Sequence, residues 1–271
     1  GSGVRRLMGS DGTGSSLTGT ISPLTAFIDM EFAGIRGTRQ GMQIPIEIGV
    51  VLLDPEQDTI SFAGKAFVYD IEVELWKNVT DDLGKRVDGR QRVFNLARPS
   101  LSIPEDRKFR LDAEGTRHAR TAIASVHRDV RQFMQALNHK NIGTLIFFAK
   151  RREMETFARA RVNLEGFVIR DLQAEIRHVY QLKEDLSLDR ASLVIGFALN
   201  GGTISSGHFT YTIPQQFRYI IRPHKAIGDA ARMMLLLREF SDYPEAFEAG
   251  VRDHIRSYDA RKPPAPEPLE E

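Results

Sequence analysis

At 271 residues, 27% charged and 41% hydrophobic, the chain has a globular composition and enough length to bury a full core, in one large domain or two small ones. A formal charge of +1 excludes an overall basic field, so a nucleic-acid partner would have to be met by local clusters. The lack of cysteine excludes disulfide frameworks, thiolate zinc sites and cysteine nucleophiles, and no apolar run nears the roughly 20 residues that span a bilayer; the expected setting is intracellular and reducing, cytoplasmic before others, with no membrane partner.

Residues 1–20 are rich in Gly, Ser and Thr and open with Gly-Ser-Gly, as a linker or vector-derived scar does, and are set outside the fold. The first element is the run Ala26 to Gly34, Ala-Phe-Ile-Asp-Met-Glu-Phe-Ala-Gly. Its apolar residues suit a buried strand, whose two-residue period points Asp29 and Glu31 to one face. Two ionised carboxylates side by side in a core repel each other and lose hydration, so they persist there only with something positive between them. A hard divalent cation such as Mg2+ or Mn2+ suits oxygen ligands. The alternative is an edge strand with both acids in water.

After a Gly-rich turn around Gly34 to Gly41, Ile44 to Asp54 reads as a second strand containing Glu47-Ile48-Gly49. The turn Asp54-Pro55-Glu56-Gln57-Asp58 leads to a third strand over Thr59 to Tyr69. Residues 70–115 are polar, broken by Pro99 and Pro104, and lack a clear period, as expected of an insertion that crosses the surface. Ala119 to Leu137 is an amphipathic helix with Ile123, Val126, Val130, Phe133 and Leu137 on one face. A strand over Thr144 to Ala149, a helix from Arg152 to Val162, a strand from Phe167 ending in Asp171 and a helix from Leu172 to Leu182 follow. Further helices are expected at Asp189 to Leu199, Ala226 to Phe240 and Tyr243 to Tyr258, and residues 261–271 read as a disordered Pro/Glu tail. Strands first, then alternating helix and strand, suggest a mixed sheet with helices packed on it, one domain over residues 21–260.

The second chemical signal is His224-Lys225-Ala226-Ile227-Gly228-Asp229-Ala230. On one continuous helix His224 and Asp229 would sit about 140° apart, so they converge only if His224 lies in the approach loop. Pro223 and Gly228 make such a late helix start reasonable. The alternative is a surface His with an Asp near a helix N-terminus.

Asp-x-Glu on a first strand, Glu-Ile-Gly on a second and His-x-Ala-x-x-Asp-Ala near the end resemble the DEDDh branch of the DnaQ-like, RNase H-like 3′→5′ exonuclease superfamily. The resemblance covers about Phe27 to Leu237 and implies an RNase H-like mixed β-sheet, a three-strand meander and then alternating helices and strands, with helices on both faces. The family's middle motif departs here. Aligning Met154 with the family's Phe puts Glu155 at the metal-binding Asp, as in the DEEDh variant of the coronaviral proofreading exoribonucleases; Glu153 and Asp171 are the other candidates.

The resemblance implies that Asp29, Glu31, Glu155 and Asp229 hold two Mg2+ or Mn2+ ions, that His224 is the general base, and that nucleoside 5′-monophosphates leave a single-stranded 3′ end, of RNA before DNA. Lys150, Arg151, Arg152 and Lys225 are candidates to follow the phosphate backbone, and Phe32 to stack on the terminal base, although a charged helix face is often merely solvated and Phe32 equally suits a core. The 70–115 insertion, with Trp76 and Phe94, would shape the substrate channel or bind a protein partner. Two other functions fit the residues: an inactive exonuclease-fold module that binds RNA or protein, and a phosphoesterase acting on small nucleotides.

Overall fold

The computed structural model describes residues 22–35, 42–67, 80–81, 101–102, 113–219, 221 and 225–263. Strands β1 (Leu24–Ile35), β2 (Met42–Asp54) and β3 (Thr59–Ala66) form the expected antiparallel meander. The two-residue strands β4 (Thr80–Asp81) and β5 (Leu101–Ser102) pair antiparallel, and the rest of the 70–112 stretch lies outside the described residues, as do residues 1–21 and 264–271.

Helix α1 (Ala113–Asn138) leads to β6 (Ile142–Phe147), which joins β1 in parallel. Then come α2 (Arg151–Arg159), β7 (Val168–Asp171), parallel to β6, and α3 (Leu172–Tyr180). The central sheet runs β3-β2-β1-β6-β7, with β1–β3 antiparallel and β6 and β7 parallel to β1. This is an RNase H-like mixed α/β sheet.

Alternation along β1 sorts the core. Ala26, Ile28, Met30 and Phe32 pack on one face with Val126, Val130, Met134 and Leu137 of α1 and Phe157 of α2. Phe27 packs on the other face with Leu172 and Ile176 of α3 and with the last helices, α5 (Ala226–Asp242) and α6 (Pro244–Arg261). Helices thus cover both faces, and by parity Asp29 and Glu31 belong to the α5 side.

One segment differs from the sequence expectation. A single helix over 189–199 is replaced by a short helix α4 (Leu188–Val194) followed by a small antiparallel sheet of β8 (Ala198–Asn200), β9 (Thr203–Ser205) and β10 (Thr210–Thr212). Gly196 at φ +66° carries the chain out of α4, and Gly201 at φ +61° turns the β8–β9 hairpin, a left-handed conformation that glycine adopts without steric cost. Ile204 and Tyr211 then bury against the α5 core. Among the described residues no helix is long and apolar enough to cross a membrane.

Candidate functional site

Asp29 and Glu31 meet Asp229 of α5, and one carboxylate oxygen from each of the three lies within 4.8 Å of the others. Burial first, then the charges of Glu31, Asp229 and Glu153, push the Asp29 carboxyl well above the usual carboxylate range. Burial together with the hydrogen bond to and the charge of Asp229 raises Glu31 to about 9. Among the described residues, Asp29 Oδ2 is sealed from solvent and has no hydrogen-bond partner. Burial and like charge favour the protonated forms of Asp29 and Glu31, and a divalent cation would relieve both the repulsion and the orphaned oxygen. The donors are all hard oxygens, the set that Mg2+ and Mn2+ prefer.

The approach of α5 is set by β2. Gly49 faces the helix start so closely that a Cβ there would lie 2.2 Å from the Ile227 nitrogen. Two residues earlier on the same face, Glu47 accepts the Ala226 N–H at 2.7 Å. Ala230 and Ala231 are fully buried, which lets the helix lie close to the sheet. Asp229 sits one turn into α5, where Arg232, itself only 4% exposed, donates to its Oδ1 at 2.8 Å and to Asp189 of α4 at 2.7 Å. A buried guanidinium of this kind holds an acid in one rotamer.

The two glutamates of α2 lie differently from what the sequence alignment leads one to expect. Glu155 is half exposed and paired with Arg151 at 3.2 Å, on the outer side of α2. Glu153 is the residue that turns inward: it is 5% exposed, its Oε2 is sealed without a partner among the described residues, and its charge bears on Asp29. Burial lifts its carboxyl to about 7, against the pull of its own and the Met30 backbone N–H groups and of Arg152, with the Asp171 charge adding to the rise. Two residues along a helix are about 200° apart, so the two glutamates cannot share a face. The signal was in the spacing. Glu153, Thr156, Phe157 and Ala160, at i, i+3, i+4 and i+7, are the buried positions of this segment.

Asp171, the other candidate ligand, is occupied by the backbone. Its Oδ1 accepts the Ala149 and Ala174 N–H groups at 3.0 and 3.3 Å, and its Oδ2 the Lys150 N–H at 3.1 Å. It caps α3 and clips the β6–α2 turn, where Ala149 is held at φ +59°.

His224 lies outside the described residues. Phe32 does not face the acids: next to Glu31 on a strand it points to the opposite side, into the α1/α2 core, so a stacking role is corrected to a packing one. Arg152 is exposed and Arg151 is exposed beside Glu155. Lys150 precedes α2, and Lys225, mostly buried, lies 3.9 Å from Glu47. The sequence reading assigned no role to Glu47 individually and passed over Arg232, because isolated charged residues read as solvated until burial shows otherwise.

No family model matches the sequence, and no curated protein does. Among solved structures, the chain is similar to cell-death related nuclease 4, with 12% identity over 82% of this chain and 65% of that one and a TM-score of 0.41. It is also similar to a full-length 3′-exonuclease, with 14% identity over 81% and 61% and a TM-score of 0.41. The chain thus spans less than two thirds of the length of each.

Proposed function

We propose that the chain is a metal-dependent 3′→5′ exonuclease that releases nucleoside 5′-monophosphates from single-stranded nucleic acid, RNA before DNA. The observation that carries this reading is the convergence of Asp29, Glu31 and Asp229 on one face of the sheet, with Glu153 reaching the same strand from α2. These four residues would hold two Mg2+ or Mn2+ ions. Bound there, the ions would lower the pKa of a water and neutralise charge on the scissile phosphate and the leaving oxygen.

The chain's own groups supply the rest. His224 would take the proton from the attacking water, a role suited to an imidazole that titrates near neutrality. Glu31 would orient the terminal 3′-hydroxyl. Lys150, Arg152 and Lys225 would follow the phosphate backbone without reading bases, and Arg151 would join them on releasing Glu155.

The test is degradation of 5′-labelled single-stranded RNA and the matching DNA with Mg2+ or Mn2+, comparing the unaltered protein with Asp29→Ala. A ladder shortening from the 3′ end, lost in Asp29→Ala and in EDTA, is the expected result. Intact substrate that is nevertheless retarded in a gel would replace this reading with that of a binding module.

A further inference from the structure

We infer that Glu47 is a positioning residue for the acidic centre: it seats the first turn of α5 and thereby sets where Asp229 stands. The inference rests on reading Asp29, Glu31 and Asp229 as a metal centre, and concerns a residue that would not itself bind the ion.

Glu47 is the β2 partner of Glu31, at the point where the β1–β2 register shifts. Directly paired residues share a sheet face, so its side chain lies on the side of the acids and of α5. Its Oε1 accepts the Ala226 N–H at 2.7 Å, and its Oε2 lies 3.9 Å from Lys225 Nζ. Ala226 is the first residue of α5, and its N–H is one of the donors that a helix cannot satisfy internally. Lys225, at the cap position, makes no side-chain cap bond. The acceptor for the Ala226 N–H is thus supplied by a strand. A carboxylate there also meets the positive end of the helix dipole.

Two residues on, Gly49 leaves room for the Ala226–Ile227 backbone. Glu47 and Gly49 thus work as a pair. The glycine permits the approach and the glutamate fixes it. Without the hydrogen bond the first turn can fray, and Asp229, only three residues further on, loses its fixed distance to Asp29 and Glu31.

The charge of Glu47 also helps to raise Glu31, so a test must separate charge from position. Glu47→Gln keeps an acceptor oxygen and removes the charge; Glu47→Ala removes both. Leu137→Ala controls for general loosening, because Leu137 closes α1 just before the start of β6, at the end of the sheet away from the acids. Mn2+ affinity is measured by titration, and amide deuterium exchange is followed over residues 225–230.

The expected result is that Glu47→Ala weakens Mn2+ binding by about tenfold or more, as loss of a residue that orients a ligand commonly does. It should also speed exchange in the first turn of α5, while Glu47→Gln stays within about threefold of the unaltered protein, and Leu137→Ala leaves both quantities in place. Equal losses in Glu47→Gln and Glu47→Ala would mean that charge matters and position does not, and would overturn the inference. So would unchanged binding in Glu47→Ala, or an equal loss in Leu137→Ala. If the unaltered protein binds no Mn2+, the metal reading itself fails. The exchange measurement then decides the seating: faster exchange in Glu47→Ala alone supports it, and unchanged exchange overturns it.

Discussion

Asp29 and Gly49 are partners across the β1–β2 ladder, and the missing side chain of the second makes room for the helix that serves the first. The start of α5 occupies the space that a Cβ on Gly49 would need, which brings Asp229 to Asp29.

Gly49→Ala is therefore expected to push α5 outward, destabilise the fold by roughly 1–3 kcal/mol as overpacking does, and weaken Mn2+ binding. Gly250→Ala in α6 provides the contrast. Its new Cβ would meet chiefly the Val194 side chain, at 3.1 Å, and alanine favours a helix over glycine by up to about 1 kcal/mol. Thermal unfolding and a Mn2+ titration distinguish them, and an unchanged Tm in Gly49→Ala would contradict the close seating of α5.

Glu153→Gln and Glu155→Gln separate the two alignments of the middle motif. Hydrolysis in Glu153→Gln should fall by more than about 100-fold, beyond the 10- to 100-fold typical of partners outside the ligand set. Glu155→Gln, which breaks only an exposed pair with Arg151, should keep activity within about threefold, since such pairs contribute at most about 1 kcal/mol. The reverse order of activities would restore Glu155 as the ligand.

The metal-free protein should lose stability as pH rises. Glu31 is raised by burial and by Asp229 to about 9, and Glu153 by burial to about 7, while both titrate near 4.3 in the unfolded chain. Between those values the folded state holds more protons than the unfolded one, so stability is full below about pH 4 and falls as pH climbs through about 7 and then 9. In EDTA, Tm should decline from about pH 5 to about pH 9, and Mn2+ should raise it most at the alkaline end, where fewer protons have to be displaced. A metal-free Tm that is flat or rises over this range would refute the burial of these acids.

Arg232→Met should destabilise the metal-free protein by roughly 3–5 kcal/mol, the usual cost of removing one partner of a buried ion pair. Because a cation bound beside Asp229 would replace part of the lost positive charge, the loss measured by urea unfolding should be smaller in Mn2+ than in EDTA. Equal losses in the two buffers would place Arg232 outside the electrostatics of the centre.

Much of the frame was legible because it depends on period. The two-residue spacing of Asp29 and Glu31 put both on one face, and the apolar stripe of α1 marked its core side. The same parity applied one residue further would have sent Phe32 into the core, yet its place beside the acids suggested a base-stacking role instead. Glu153 was ranked below Glu155 because a motif alignment outweighed the helical spacing that buries Glu153 with Thr156 and Phe157. The β8–β10 sheet escaped notice because strands of three residues are too short to show alternation. Glu47 and Arg232 draw their roles from residues distant in sequence, which no local pattern can reveal.

The parity of β1 also bears on how the chain finds its fold. Slipping β1 by one residue against β2 or β6 would exchange the two sides of the strand. Asp29 and Glu31 would then enter the aliphatic layer under α1, where no oxygen-seeking cation could reach them, and Ile28 and Met30 would be left against Asp229 and Arg232. The acids that make the strand costly to bury thus penalise every slip by an odd number of residues more heavily than the native pairing, so that the pair serves as a register mark during folding as well as a centre for chemistry afterwards.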